Sequence, residues 1–186
     1  MRIVYVYVPH LPVQVEIHRR GWDIRELSQG LIIGGRPWDP SVVLDCSPAA
    51  EAAGITPGMT MGQASARCPE AEFLTADHES YQTTQNHIEA ALRGFTDRVE
   101  TVGLGQFFLA VEHLGRRFPE DEKLTQKVID TIREAQPLDL KIGLANERFT
   151  AEQAALAACI NEAVIVSSGR GRRFLAKPGR ATRYAP

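Results

Sequence analysis

Cysteine is scarce in this sequence: Cys46, Cys68 and Cys159 are the three among 186 residues. They lie far apart, with no C-x-x-C pair and no histidine at ligand spacing. That excludes a disulfide framework and a zinc module, and leaves small buried thiols in a reducing compartment. Long apolar runs are missing too; none approaches the roughly 20 residues that cross a bilayer. Met1-Arg2 leads straight into IVYVYV, so the expectation is a cytoplasmic chain with no signal peptide and no membrane partner. Positive charge is sparse except at one end. Residues 167–186 hold six of the 21 Lys and Arg (Arg170, Arg172, Arg173, Lys177, Arg180 and Arg183) and no acid. The other 15 face all 23 Asp and Glu, so residues 1–166 carry a formal −8. A body that gripped a nucleic-acid backbone by itself would show the opposite balance. The six basic residues are therefore the candidate DNA contact, with a solvated tail as the equal alternative.

What is present suits a packed domain: 44% hydrophobic and 24% charged residues. Residues 2–8 alternate as a strand, and 11–20 form a helix with Pro12 tolerated in its first turn. Short strands are expected at 31–33 and 42–44, on either side of the turn-rich GGRPWDP. Ser47-Pro48 opens a short helix that Gly54 closes. Thr60 and Gln63 form a capping box for the next helix, which ends at Cys68-Pro69. After a strand at 72–75, Asp77 caps the longest helix, with Tyr81, Thr84, Ile88, Leu92 and Phe95 on its buried stripe. Two strand-like flanks then enclose Gly103-Leu104-Gly105-Gln106. A helix from about 120 carries Leu124, Val128, Ile132 and Ala135, and a strand follows at 140–144. Thr150 with Gln153 reads as a second capping box opening an Ala-rich helix, and 163–166 is the last strand.

Outside 21–76 the order begins β-α-β-β-α-β. It predicts an α+β chain with a ferredoxin-like antiparallel sheet, helices on one face, and a small helical insertion. Polymerase palm domains are built this way, so the division expected is a palm at 1–20 and 77–166 and a fingers-like insertion at 21–76. Residues 167–186 are then a basic tail or the start of a thumb.

Four segments resemble the DinB/UmuC, or Y-family, translesion DNA polymerases, in order. RIVYVYVPHLPVQVEI is similar to the family's first motif. VVLDCSPAAEAAGITPGMTMGQASARCPEAEFLTAD is similar to its fingers, RVETVGLGQFFLAVEHL to its central motif, and KIGLANERFTAEQAALAA to the segment leading out of the palm. The resemblance implies metal-binding aspartates at two places in the first strand, here Tyr7 and Pro9, and an Asp-Glu pair where Gly105 and Gln106 stand. Its triphosphate-binding Tyr, Arg and Lys correspond to Pro48, Glu51 and Glu152, and its ribonucleotide-excluding position to Pro12. Mg²⁺ is held through carboxylates and substrate phosphates, which these residues do not supply. The expectation is therefore no metal ion, no cofactor and no enzyme activity.

A branch of the family, the ImuB-like proteins, fits that pattern, and LAN and GRGRRFLAKPG are similar to it. It implies an adaptor in DNA-damage-induced translesion synthesis. Its partners are an error-prone replicative-type polymerase, a RecA-like protein and the sliding clamp, with DNA itself as a further one. Two alternatives stand beside it. One is an active polymerase or nucleotidyltransferase with relocated carboxylates drawn from Glu16, Asp45, Glu100 and Glu112; the other is an interaction module that binds no DNA. His10, His18, His78, His87 and His113 share no ligand spacing, and Gly103-x-Gly105 lacks the third glycine and following helix of a dinucleotide fingerprint.

Overall fold

The computed structural model describes residues 2–23 and 29–176. The chain runs β1 (Ile3–Tyr7), α1 (Leu11–Arg20), β2 (Leu31–Ile33), β3 (Asp45–Cys46), α2 (Pro48–Ala52), α3 (Met61–Arg67), β4 (Glu72–Leu74) and α4 (His78–Arg93). There follow β5 (Val99–Gly103), β6 (Gln106–Ala110), a 3-10 turn (Glu112–Arg116), α5 (Asp121–Ala135), β7 (Lys141–Ala145), α6 (Arg148–Ala157), β8 (Ala163–Ile165) and α7 (Gly171–Leu175). Packing divides these residues into two units, one from Met1–Pro9 with Thr84–Pro186 and one from His10–Thr83.

The first unit is built on a five-stranded sheet in the order β5-β6-β1-β7-β8. β1 lies antiparallel between β6 and β7, and β5 pairs antiparallel with β6, which gives the ferredoxin-like arrangement. β8 adds a parallel edge strand beside β7. Alternation sends Val4, Val6, Phe107, Leu109, Ile142 and Leu144 to one face, all of them buried. α5, whose buried stripe is Leu124, Val128 and Ile132, packs against β7 and β8. Ile3, Tyr5, Phe108 and Ala145 point the other way and pack with Ala151, Ala154 and Ala155 of α6. Small residues let that helix come close. A Cβ on Gly143 would lie 1.9 Å from the Ala151 carbonyl oxygen and 2.4 Å from the Ala155 nitrogen, so this strand position admits no side chain.

Helix α6 starts three residues earlier than the capping-box reading of Thr150 and Gln153 expects. Glu147 is its N-cap residue, without a side-chain cap, and Thr150 sits buried in the first turn. The reason is spatial: β7 ends at Ala145, and the helix has to begin almost at once to lay its alanines over Gly143.

The second unit holds a three-stranded sheet in the order β3-β2-β4. Its core is Ile32, Val43, Cys46, Ala50, Ile55, Met61, Ala64 and Ala71. Thr60 and Gln63 do form the capping box of α3, and Asp77 Oδ1 accepts from the Ser80 N–H at 3.1 Å to cap α4. The strand expected at 42–44 lies instead at Asp45–Cys46. Val43 exchanges backbone hydrogen bonds with the 58–59 turn, and Val42 makes only an isolated bridge to Thr60. Residues 42 and 43 are taken up by that turn, and only the Leu44 N–H, donating to the Ile33 carbonyl at 2.7 Å, reaches β2.

Candidate functional site

The first-motif and central-motif residues meet at one end of the β1–β6 pair. Tyr7 and Gln106 are register partners, and Lys141 is opposite Tyr7 on the other side. Leu104 and Gly105 connect β5 to β6, with Gly105 at φ 72°, a left-handed conformation that favours glycine. Gly105 is buried and tied twice. Its N–H donates to Gln85 Oε1 at 2.9 Å, and its carbonyl accepts from the Val8 N–H at 2.8 Å. The Gln106 Oε1 accepts from the Tyr5 hydroxyl at 3.1 Å, and the Tyr5 ring lies 4.6 Å from that of Phe108. Burial, then the Glu152 charge, then Tyr7, push the Tyr5 phenol well above its ordinary range. Tyr7, Pro9, Gly105, Gln106 and Glu152 thus all belong to the first unit, and its sheet brings Tyr7 and Gln106 side by side.

Pro12, Pro48 and Glu51 belong to the second unit. Pro12 is buried in the first turn of α1. Pro48 is the exposed first residue of α2, with Glu51 one turn on. Around Glu51 the structure assembles a group that no sequence spacing announced. His10, left-handed at φ 49°, places Nδ1 3.0 Å from Asp45 Oδ1 and Nε2 3.8 Å from Glu51 Oε2. Asp45 Oδ2 also accepts from the Val13 N–H at 3.3 Å. The hydrogen bond to Asp45 raises the His10 pKa; burial opposes it, and the charges of Asp45 and Glu51 add to it. Burial, with the same two carboxylates, pushes the neighbouring Cys46 thiol up to about 12, far from a nucleophile's range.

The remaining acids considered for a relocated site are engaged elsewhere. Glu16 is buried, accepts from the Tyr81 hydroxyl at 2.7 Å and pairs with Arg20. Glu100 holds Arg148 bidentately at 2.6 and 2.8 Å, which lowers its carboxyl pKa, and the Arg148 guanidinium lies 4.2 Å from the Phe108 ring centre. Glu112 pairs with Arg98 at 3.2 Å. Among the described residues, no three of His, Cys, Asp and Glu form a group placed to hold a metal ion. Arg170, Arg172 and Arg173 are exposed in and beside α7, whereas Lys177, Arg180 and Arg183 lie outside the described residues. No helix among the described residues is long and apolar enough to cross a membrane.

The sheet order and the small second unit match the palm-and-fingers fold of solved Y-family DNA polymerases. DinB from Sulfolobus solfataricus has this fold, with a TM-score of 0.82 at 19% identity over 94% of this chain and 51% of that one. The insertion ternary complex of Dbh DNA polymerase superposes at 0.80 with 20% identity. Residues 6–155 match the impB/mucB/samB family, and the chain belongs to it. "DNA polymerase IV 2" of Halalkalibacterium halodurans is 31% identical over 140 residues, 75% of this chain and 33% of its own. A "DNA polymerase IV" of Staphylococcus aureus is 29% identical over 154 residues, 82% of this chain and 42% of its own. The chain thus spans a third to two fifths of these curated relatives and about half of the solved chains.

These relatives correct one expectation. The chain was expected not to be an enzyme, yet the relatives it matches are named as polymerases. Four side chains are too narrow a basis for that exclusion, since Mg²⁺ also keeps waters and takes substrate phosphates as ligands.

Proposed function

We propose that the chain acts at damaged DNA as the palm and fingers of a Y-family protein, and works there as an adaptor in translesion synthesis and repair. In this reading residues 1–20 and 77–166 are the palm, 21–76 the fingers and 167–186 a basic tail or the start of a thumb. The protein works in the cytoplasm beside chromosomal DNA. Its partners are an error-prone replicative-type polymerase, a RecA-like protein and the sliding clamp, with Arg170, Arg172, Arg173, Lys177, Arg180 and Arg183 supplying the contact to DNA phosphates. One observation supports this above the rest. The positions that match the family's carboxylates hold Tyr7, Pro9, Gly105 and Gln106, and Gly105 and Gln106 are tied into the packed sheet by Gln85, Val8 and Tyr5. The family scaffold is kept while its nucleotide-facing positions Pro12, Pro48, Glu51 and Glu152 have changed chemistry.

The test is bypass of a template lesion by a partner replicative-type polymerase with and without this chain, alongside direct binding to that polymerase, the RecA-like protein and the clamp. The chain is expected to bind at least one partner and to raise bypass; neither effect would overturn the adaptor reading. A second reading, nucleotidyl transfer by the chain itself, is favoured by the names of its relatives. Primer extension by the chain alone with Mg²⁺ or Mn²⁺, lost in Glu100→Gln or Glu112→Gln, selects that second reading.

A further inference from the structure

A cavity of about 510 Å³ opens at the start of α6 and is lined by Asn146, Glu147, Thr150, Ser167, Ser168 and Arg172, among others. Three features there call for an anion. First, the ten-residue α6 begins without a side-chain cap and with no acid in its first turn, so its leading N–H groups and the positive end of its dipole are uncompensated. Second, the Thr150 hydroxyl is buried without any hydrogen-bond partner. It faces the cavity wall, where a Cβ on Gly171 would lie only 3.4 Å from Thr150 Oγ1. An orphaned buried hydroxyl carries a desolvation cost that a ligand oxygen would relieve. Third, Arg172 lines the same cavity, is exposed and takes part in none of the ion pairs of the described residues. Glu147 is the one acid on the wall, and it is exposed, free to turn its carboxylate to water.

The geometry points to a phosphate-binding site in which the first-turn amides of α6, the Thr150 hydroxyl and Arg172 hold one phosphate group. It lies apart from the Tyr7–Gln106 site and does not depend on the adaptor reading, because inorganic phosphate alone would reveal it. The ligand chemistry is a tetrahedral phosphate oxyanion, either free or carried on a nucleic-acid strand. Thr150 donates its hydroxyl proton to one oxygen, the amides of Arg148 and Phe149 donate to others, and Arg172 supplies the compensating charge.

The experiment follows the backbone amides of ¹⁵N-labelled protein while inorganic phosphate is titrated in at constant ionic strength set with chloride. The amides of Arg148, Phe149, Thr150 and Ser168 are expected to shift together along one saturable curve. Thr150→Val keeps the shape and removes the donor, and it should weaken binding about tenfold, whereas Thr150→Ser should keep it. Arg172→Gln is a surface change that leaves the fold alone, and it should weaken binding by a similar factor, while Arg93→Gln should not. Competition with oligothymidylate with and without a 5′-phosphate then identifies the source. Displacement by both points to backbone phosphodiester, displacement by the phosphorylated one alone to a terminal phosphate, and displacement by neither to a free anion. The inference is overturned if phosphate moves these amides no more than chloride does, or if Thr150→Val and Arg172→Gln bind as tightly as the wild type.

Discussion

Gly143→Ala is the sharpest probe of how the first unit holds helix α6. The added methyl would stand 1.9 Å from the Ala151 carbonyl oxygen, 2.4 Å from the Ala155 nitrogen and 3.0 Å from the Ala151 carbonyl carbon. All three neighbours are backbone atoms, so no rotamer change relieves the clash. The helix has to retreat by about 1.5 Å to restore ordinary contact near 3.5 Å, lifting Ala151, Ala154 and Ala155 off Ile3 and Tyr5. Overpacking of this kind costs about 1–3 kcal/mol, and the rigid neighbours place this site at the upper end. Lowering the freedom of the unfolded chain returns about 0.4–1 kcal/mol. A net loss near 2 kcal/mol corresponds to a fall in Tm of about 4–8 °C in a chain of this size. Gly62→Ala is the control, because its Cβ would meet only the Pro37 carbonyl oxygen at 3.9 Å. Gly62 lies in helix α3, so that change should raise stability by up to about 1 kcal/mol. Thermal unfolding by circular dichroism decides the matter. A Gly143→Ala Tm within 1 °C of wild type, or an equal loss in Gly62→Ala, would refute the close-approach argument.

Three further outcomes are expected. Gln85→Leu removes the acceptor of the buried Gly105 N–H and should cost about 1–3 kcal/mol in urea unfolding, the penalty of an unpaired buried donor; an unchanged midpoint would mean that the loop finds another acceptor. The His10 pKa is raised in the folded state, by its hydrogen bond to Asp45 first. The stability it contributes is therefore fully present below the ordinary histidine value and lost as pH rises through the folded one. His10→Asn, which tolerates the left-handed backbone, should flatten the fall in unfolding free energy as pH rises above the ordinary histidine value of 6.5, and an identical pH profile would count against the pairing. Arg148→Met removes the first cause of the lowered Glu100 pKa, so NMR titration should show that carboxyl moving up, and an unmoved titration would count against the pairing.

Much of the fold was written in short-range patterns. The alternation of IVYVYV, the capping box at Thr60 and Gln63, the Asp77 cap and the β-α-β-β-α-β order each state a local preference that packing then kept. The start of α6 was misjudged because Thr150 and Gln153 carry the same local signature as a true cap, while the deciding term was the approach of α6 over Gly143. The His10–Asp45 pair was invisible for a related reason. Its members are 35 residues apart, and nothing in either neighbourhood marks a partner; only the pairing of β2 with β3 and the turn into α1 carries them together. Sequence spacing reports contacts within one element, and these contacts join different ones.

The same distinction governs what Gly103-Leu104-Gly105-Gln106 can do. Read locally, two glycines in a strand pattern signal weakness. In the sheet, Gly105 gives the connection the one left-handed residue it needs, and its amide and carbonyl are then fastened by Gln85 of α4 and by Val8 just past β1. Gln106 answers Tyr5 with a hydrogen bond that a glutamate, equal in length, could also have accepted from the same hydroxyl. The backbone at Gly105 is therefore held by Gln85 and Val8, from outside the β5–β6 connection, with the Gln106 side chain adding a separate tie to Tyr5. The match to the family spans residues 6–155, and the chain keeps it with Tyr7 and Gln106, neither of them a carboxylate, as register partners in the sheet.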